Sequence, residues 1–264
     1  MGMHRVWALF TRHLYVIRRN PMRIAELVYW PLLDLLIWGF LSVFLSHIGT
    51  GALPNFLAFF LGGLILWDLL FRAQQGVSIA YLEEVWSRNL LNLFVSPLSV
   101  GEFLSSTILV SLAKLGISTV IMSILALAFY KFNILVLGWS LLPFILALLL
   151  MGWALGIATT AIVLRFGQGA ESLAWVLAYI FQPLSAVFYP VSVLPPPIRQ
   201  VALWLPSAHV FEGMRAVIST GKIPLQHLYW AFGLDAFYCL LAIAFFYQTF
   251  GVVLERGLLA KTGE

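Results

Sequence analysis

Long apolar segments, separated by short polar ones, make up almost the whole chain. Each is at least about as long as the ~20 residues that an α-helix needs to cross the hydrocarbon core of a bilayer. The predicted spans are 24–46, 54–75, 101–130, 135–164, 172–190 and 227–251. The connections between them are too short to form a soluble domain. The pattern therefore predicts an all-α membrane protein, in which residues 1–264 form a single domain with six transmembrane helices.

The segment that precedes the first span, residues 3–20, has the pattern of an amphipathic helix. Its apolar arc contains Met3, Val6, Trp7, Phe10, Leu14 and Ile17, and its opposite face contains Arg5, Arg12 and Arg19. A basic amphipathic helix with aromatic side chains typically lies in the plane of the lipid headgroups. We therefore expect an interfacial helix that ends at Asn20, because Pro21 interrupts helical hydrogen bonding.

The connection at about 76–100 is longer than a turn and contains a second amphipathic stretch. Over residues 83–94, the shared apolar face consists of Trp86, Leu90, Leu93 and Phe94, and the residues away from it are Glu84, Arg88 and Asn92. This spacing predicts one short helix at the membrane surface, anchored to the bundle by Leu90 and Leu93. Further on, Ser99 and Glu102 have the spacing of a capping box at the start of the third span.

The connection at 191–226 is too apolar for a free loop and too interrupted by prolines for a full span. Irregular backbone at membrane depth must be covered by protein, so we expect a pair of short re-entrant helices there. His209, Glu212 and Arg215 follow one another at intervals of three residues and should share one side of a helix. We expect Glu212 and Arg215 to pair with each other or with neighbouring backbone.

The distribution of positive charge predicts the orientation of the chain in the membrane. The chain is 62% hydrophobic and only 10% charged, which excludes an ordinary soluble domain. If the N-terminus is inside, ten of the 15 Lys and Arg residues lie in inner segments, four lie in outer segments, and Lys114 lies within a span. Positive charge accumulates in cytoplasmic loops, so both termini are expected in the cytoplasm. The net charge of +4 is then explained by these loops and by anionic lipid, without nucleic acid.

Candidate chemistry within the chain is sparse. Gly221-Lys222 is followed by Ile223 and lacks the upstream glycine of a phosphate-binding loop, so we expect this chain to hold no ATP. No set of His, Cys, Asp and Glu residues has the spacing of a metal site, so we expect no metal or other cofactor either. Charges in or near the spans are Asp34, Asp68, Lys114, Glu171 and Asp235. Such charges either pair with neighbouring helices or carry ions, which leaves an ion-coupled secondary transporter as an alternative. A second alternative is an intramembrane enzyme built around His209 and Glu212.

Two segments resemble the permease subunits of ABC-2 type exporters, a family of bacterial drug, lipid and polysaccharide exporters. One is the inner segment LLNLFVSPLS at 90–99; the other combines FYPVSVLP at 188–195 with LPSAHVFEGMR at 205–215. The N-terminal surface helix and the six-span plan are also similar, so the resemblance extends over essentially the whole chain.

The resemblance implies the following sites and partners. The 83–94 segment would be a coupling helix that contacts a separate ATP-binding subunit, with Glu83, Glu84, Trp86, Arg88 and Asn92 as its candidate contact residues. The outer re-entrant gate would contain Tyr189, Pro190, His209, Glu212 and Arg215. Two ATP-binding subunits, which hold ATP and Mg, would pair with two permease subunits, either a homodimer of this chain or this chain with a paralogue. The substrate would be a lipid, a lipid-linked glycan or a hydrophobic drug, exported across the bacterial inner membrane.

Overall fold

The computed structural model describes residues 2–48, 56–131 and 139–256, and within these ranges it is helical without any strand. The α-helices are α1 Met3–Arg19, α2 Pro21–Ile48, α3 Phe56–Trp86, α4 Leu90–Val95, α5 Val100–Tyr130, α6 Leu142–Phe166, α7 Leu173–Leu184, α8 Pro196–Ala202, α9 Pro206–Thr220 and α10 Leu225–Glu255. Short 3-10 helices cover Trp139–Leu141, Gly167–Ala170 and Val191–Val193.

Four candidate membrane spans occur in the described part of the chain. They are Pro21–Phe44, Val100–Tyr130, Trp139–Phe166 and Leu225–Glu255, each long and apolar enough to cross a bilayer. These helices match four of the six predicted spans. The other two predicted spans, 54–75 and 172–190, correspond to α3 and α7. The all-α membrane class is confirmed, and the count of six stays a prediction.

Helix α7 is shorter than the predicted span at 172–190. It covers only 12 residues, which corresponds to a rise of about 18 Å against a hydrocarbon core of about 30 Å. Pro183 lies in its last turn and has no N–H to continue the helix, and Ala186 adopts a left-handed conformation with φ 52°. The Tyr189 hydroxyl donates to the Pro183 carbonyl at 2.7 Å. The chain therefore turns back six residues before the predicted boundary.

Helix α3 lies at the centre of the bundle and runs parallel to α6. A Cβ added to Gly152 would lie 2.6 Å from the Leu70 carbonyl oxygen, and one added to Gly156 would lie 2.7 Å from the Gln74 carbonyl oxygen. Only residues without a side chain permit this separation of the two backbones. Gly152 and Gly156 therefore form the face of α6 that packs closely against α3.

Helix α5 packs against the opposite side of α3 and runs antiparallel to it. Ser111 donates to the Ala73 carbonyl at 3.1 Å across this contact. The predicted capping box is present at the start of α5, where Glu102 N–H donates to Ser99 Oγ and Ser99 N–H donates to Glu102 Oε2. The box satisfies two of the unpaired amides at the start of α5.

The two regions singled out in the sequence lie at opposite ends of the bundle. Gly213 of α9 contacts the ring of Phe144, near the start of α6. Because α3 and α6 are parallel, the end of α3 and the following α4 lie at the other end, where the Gly2 N–H donates to Glu102. We call these the α9 end and the α1 end. Their separation is what the predicted topology requires.

Candidate functional site

The predicted single helix at 83–94 is wrong, because the chain turns sharply after Trp86. Asn89 N–H donates to the Glu84 carbonyl, Arg88 N–H donates to the Val85 carbonyl, and Arg88 has φ 53°. This is a Schellman ending, in which the left-handed position usually holds glycine or asparagine. Residues 83–86 thus complete the long helix α3, and α4 is a separate helix of six residues.

Glu84 is buried at this turn, although the sequence pattern placed it on an exposed face. Its carboxylate accepts two hydrogen bonds from the Arg12 guanidinium, at 2.7 and 3.0 Å, and one from the Asn89 amide at 2.8 Å. The His13 ring lies 3.7 Å away. A buried carboxylate is tolerated only when it is paired in this way. Glu84 therefore holds α1 against the end of α3 and is not exposed for direct contact with a partner.

Glu83 ties two further helices to the same end of α3. Its carboxylate lies 2.6 Å from the Arg23 guanidinium of α2 and 3.7 Å from the Lys114 ammonium of α5. Of the two alternatives for the charges in or near the spans, Lys114 therefore shows the first, pairing with an acid on a neighbouring helix. Two adjacent acids at one helix end therefore connect α1, α2, α3 and α5.

Helix α1 is confirmed, and the structure shows which of its faces meets the protein. Val6, Leu9 and His13 are buried, while Met3 and Trp7 from the predicted apolar arc are exposed. The exposed arc is free to contact lipid, as expected for an interfacial helix. Burial lowers the pKa of His13, an effect that the nearby Glu84 carboxylate opposes.

Exposed residues of the α3–α4 turn, of α4 and of the segment that follows it include Trp86, Arg88, Asn92, Val95 and Pro97. We call these five residues the coupling surface, after the role that the sequence predicts for this region. Leu90 and Leu93 are buried beneath it, which confirms their predicted role as anchors. Val95 is 79% exposed. Three of the five predicted coupling residues, Trp86, Arg88 and Asn92, lie on this surface.

A groove of about 390 Å³ separates α4 from α1 beside the coupling surface. Its lining includes Arg5, Arg12, Asn92 and Pro97. The Arg5 guanidinium donates to the Pro97 carbonyl and thereby joins the two walls. The sequence pattern assigns Arg5 and Arg12 only to the basic face of α1, because it does not show that α4 returns to that face.

At the α9 end, Glu212 and Arg215 fasten the turn after α7 to α9. Glu212 Oε1 accepts from the Val191 amide at 2.6 Å and from Arg215 at 3.1 Å. Arg215 also donates to the Ala186 carbonyl at 3.0 Å. The expectation that these residues pair with each other and with neighbouring backbone is confirmed. We call this assembly of α8, α9 and residues 186–193 the cap; Pro190 caps its short 3-10 helix.

His209 does not join Glu212 and Arg215, although the sequence predicts that the three share one side of a helix. It forms its hydrogen bonds with other residues. Its Nε2 lies 2.9 Å from the Leu203 carbonyl oxygen, which accepts only, so Nε2 donates. In the neutral ring Nδ1 then accepts from His227 Nδ1, 3.3 Å away, and the ring stacks on Trp230. Burial lowers the pKa of His209 and favours this neutral form. His209 thus joins the cap to α10, and it forms no catalytic pair with Glu212.

The family comparison covers both ends of the molecule. A family model described as ABC-2 family transporter protein matches residues 35–251. The chain belongs to the ABC-2 transporter family. This confirms the resemblance seen in the sequence, although α1 lies outside the matched range. A comparison with curated proteins found no match. ABC-2 family proteins are transport permeases of ABC transporters and normally pair with an ATP-binding subunit.

Family membership and the apolar helices indicate a multi-pass membrane protein. Within residues 2–48, 56–131 and 139–256, no three His, Cys, Asp or Glu side chains are close enough together to hold a metal ion.

Proposed function

We propose that this chain is the membrane subunit of an ATP-driven exporter that moves an amphiphilic substrate across the bacterial inner membrane. The substrate is a lipid, a lipid-linked glycan or a hydrophobic drug. Two copies of the chain form a homodimer that encloses the path, and each copy contacts one ATP-binding subunit, where ATP and Mg are held. Both termini and the coupling surface face the cytoplasm.

The coupling surface is the observation that carries this proposal. Val95 and Trp86 project from it at the α1 end, and a soluble subunit that covers them would remove apolar area from water. The surface is also firmly held, because Glu84 and Glu83 join the end of α3 to α1, α2 and α5. A displacement imposed on α4 by nucleotide-dependent motion is therefore passed to several helices at once.

The cap at the opposite end has a role in covering the translocation path. Glu212 and Arg215 hold the turn that follows α7, so a movement of α7 is coupled to α9 through Val191 and Ala186. Tyr189 and Pro190 lie within the same turn. We propose that this linkage sets when the outer side of the path opens.

Ion-coupled transport has weaker support as an alternative. Asp68 forms an ion pair with Arg72 at 2.7 Å, and Lys114 lies 3.7 Å from Glu83. Charges engaged in this way serve to hold helices together. Asp68 and Lys114 therefore do not offer a free relay for an ion.

Co-expression with the ATP-binding subunit tests the proposal. Val95→Asp and Asn92→Arg change exposed side chains without touching the buried ion pairs, and each should lower recovery of the ATP-binding subunit at least tenfold. Ser219→Asp, at an exposed position of the α9 end, is the matched control and should leave recovery unchanged. Wild-type recovery and wild-type stimulation of ATP hydrolysis by both coupling-surface variants would contradict the proposal.

A further inference from the structure

A small cavity lies within the bundle, between α2, α3, α5 and α7. Its volume is about 80 Å³, and its lining includes Asp34, Trp38, Trp67, Asp68, Tyr179 and Gln182. This volume is several times the ~10–15 Å³ that one water occupies on the same measure. The cavity therefore has room for a headgroup of several heavy atoms. It belongs neither to the coupling surface nor to the cap.

One of the two carboxylates in this cavity has no direct partner. Asp68 Oδ2 accepts from Arg72 at 2.7 Å and from Ser118 at 3.4 Å. Asp34 forms no hydrogen bond and no ion pair with any residue in the described ranges. A carboxylate without a direct partner at membrane depth is costly, and the nearby Arg72 is already engaged by Asp68, so the cavity attracts a further positive charge.

The walls of the cavity favour an organic cation over an inorganic one. Trp38, Trp67, Phe71 and Tyr179 contribute aromatic side chains to the lining, and Leu64 and Met122 add further apolar surface. Aromatic faces attract ammonium groups that carry methyl or methylene substituents. A hard inorganic cation instead requires about six oxygen ligands. Four side chains of this lining carry oxygen, and one of them, Asp68, is already paired with Arg72.

Two residues of the cavity lining, Asp34 on α2 and Tyr179 on α7, also reach the surface. Tyr179 is 52% exposed and Asp34 is partly exposed. Exposed apolar side chains flank them, Ile37 on α2 and Ile180 on α7. A headgroup held beside Asp34 would therefore leave its hydrocarbon tail along an apolar surface.

We propose that this cavity binds the ammonium headgroup of an amphiphile, with Asp34 as its counter-charge and Trp38 and Tyr179 as its aromatic walls. The inference rests on the proposed function, since it assigns a substrate class to the exporter. The binding itself requires neither ATP nor the ATP-binding subunit, so the two proposals fail separately.

Binding of radiolabelled dodecyltrimethylammonium to the purified full-length chain in nanodiscs tests the proposal. Asp34→Asn keeps the shape of the side chain, removes its charge and should raise the Kd at least tenfold. Trp38→Leu keeps the charge, removes one aromatic wall and should raise the Kd about fivefold. Asp235→Asn is the control, because Asp235 is a fully buried aspartate on α10 outside the cavity, and it should bind as wild type.

Competition identifies what is recognised. The neutral isostere, in which carbon replaces the quaternary nitrogen, should compete at least ten times more weakly than the ammonium compound. Equal competition would show that only the tail is bound and would overturn the proposal. Displacement of the label by sodium or potassium at physiological concentration would assign the cavity to an inorganic cation, and would also overturn it. Equal Kd values for Asp34→Asn and wild type would overturn the proposal as well.

Discussion

The ion pair between Arg12 and Glu84 should respond very differently to removal of one partner or the other. The Glu84 side chain is 2% exposed, whereas that of Arg12 is 41% exposed. Arg12→Ala leaves a buried carboxylate without its main partner, which typically costs about 3–5 kcal/mol. Glu84→Ala leaves a guanidinium that water can reach. The loss in free energy of unfolding is therefore close to the value of an exposed ion pair plus that of the Asn89 hydrogen bond. We expect that loss to be about 1–2 kcal/mol.

The native cysteine provides the assay for this asymmetry. Cys239 is the single cysteine of the chain and is partly buried. A thiol-reactive fluorophore therefore reports unfolding without engineered labels. A difference of about 2 kcal/mol corresponds to about 4–8 °C in apparent Tm for a chain of this size. Arg12→Ala should unfold at a lower temperature than Glu84→Ala. The double variant that carries both substitutions should recover part of the Tm that Arg12→Ala loses. If Glu84→Ala is as destabilising as Arg12→Ala, the reasoning from burial is refuted.

The same site predicts a dependence on pH. Because burial lowers the pKa of His13 in the folded state, the unfolded chain takes up this proton first as the pH falls below about 6.5. Stability of the wild type should therefore decrease through that range. In the Arg12→Ala variant, protonated His13 supplies a positive charge to Glu84, so the gap in Tm between variant and wild type should narrow between about pH 8 and pH 6. A gap that widens would contradict this account.

Three further predictions concern the α3–α6 contact, the topology and the cap. Gly152→Ala should lower the apparent Tm by an amount equivalent to about 1–3 kcal/mol through overpacking against α3. Gly116→Ala is the control: its added Cβ meets no atom within 4 Å, so it should be neutral or slightly stabilising. Equal effects of the two substitutions on Tm would exclude the close contact between α3 and α6. Cysteines placed at Ser87 and Ser219, in a background without the native cysteine, should react with an impermeant reagent from opposite sides of the membrane, and labelling from one side would overturn the topology. Glu212→Ala should weaken the cap by about 1–3 kcal/mol and impair transport, unlike a substitution in the exposed turn after α9; wild-type transport and assembly would refute that role.

Much of the helical framework was predictable because burial in lipid imposes a simple requirement on sequence. Long apolar segments must be helical to satisfy their backbone, and α2, α5, α6 and α10 follow that rule. Local chemistry also predicted the capping box at Ser99 and Glu102, since both partners lie within one turn. The same holds for the pairing of Glu212 with Arg215.

The details of the coupling surface were not predictable from local patterns. The break after Trp86 contains neither glycine nor proline, and Arg88 takes the left-handed position instead. Glu84 looked exposed because its partner, Arg12, is 72 residues away in the sequence. Hydrophobic periodicity shows which face of a helix is apolar, but not which face meets protein and which meets lipid.

The cavity beside Asp34 was hidden for a related reason. The sequence showed Asp34 and Asp68 as two of five charges in or near spans, without indicating which of them were paired. Pairing depends on the packing of α2 and α7 against α3, which brings Trp38 and Tyr179 around the same space. The spacing of residues within one helix does not predict tertiary contacts of this kind.

Site-specific photo-crosslinking from the coupling surface tests the central claim most directly. A photoreactive residue at Val95, in the chain co-expressed with its ATP-binding subunit, should form an adduct with that subunit. The same residue at Ser219 should form none. The account is contradicted if the subunit co-purifies but Val95 gives no adduct, or if the adduct forms from Ser219.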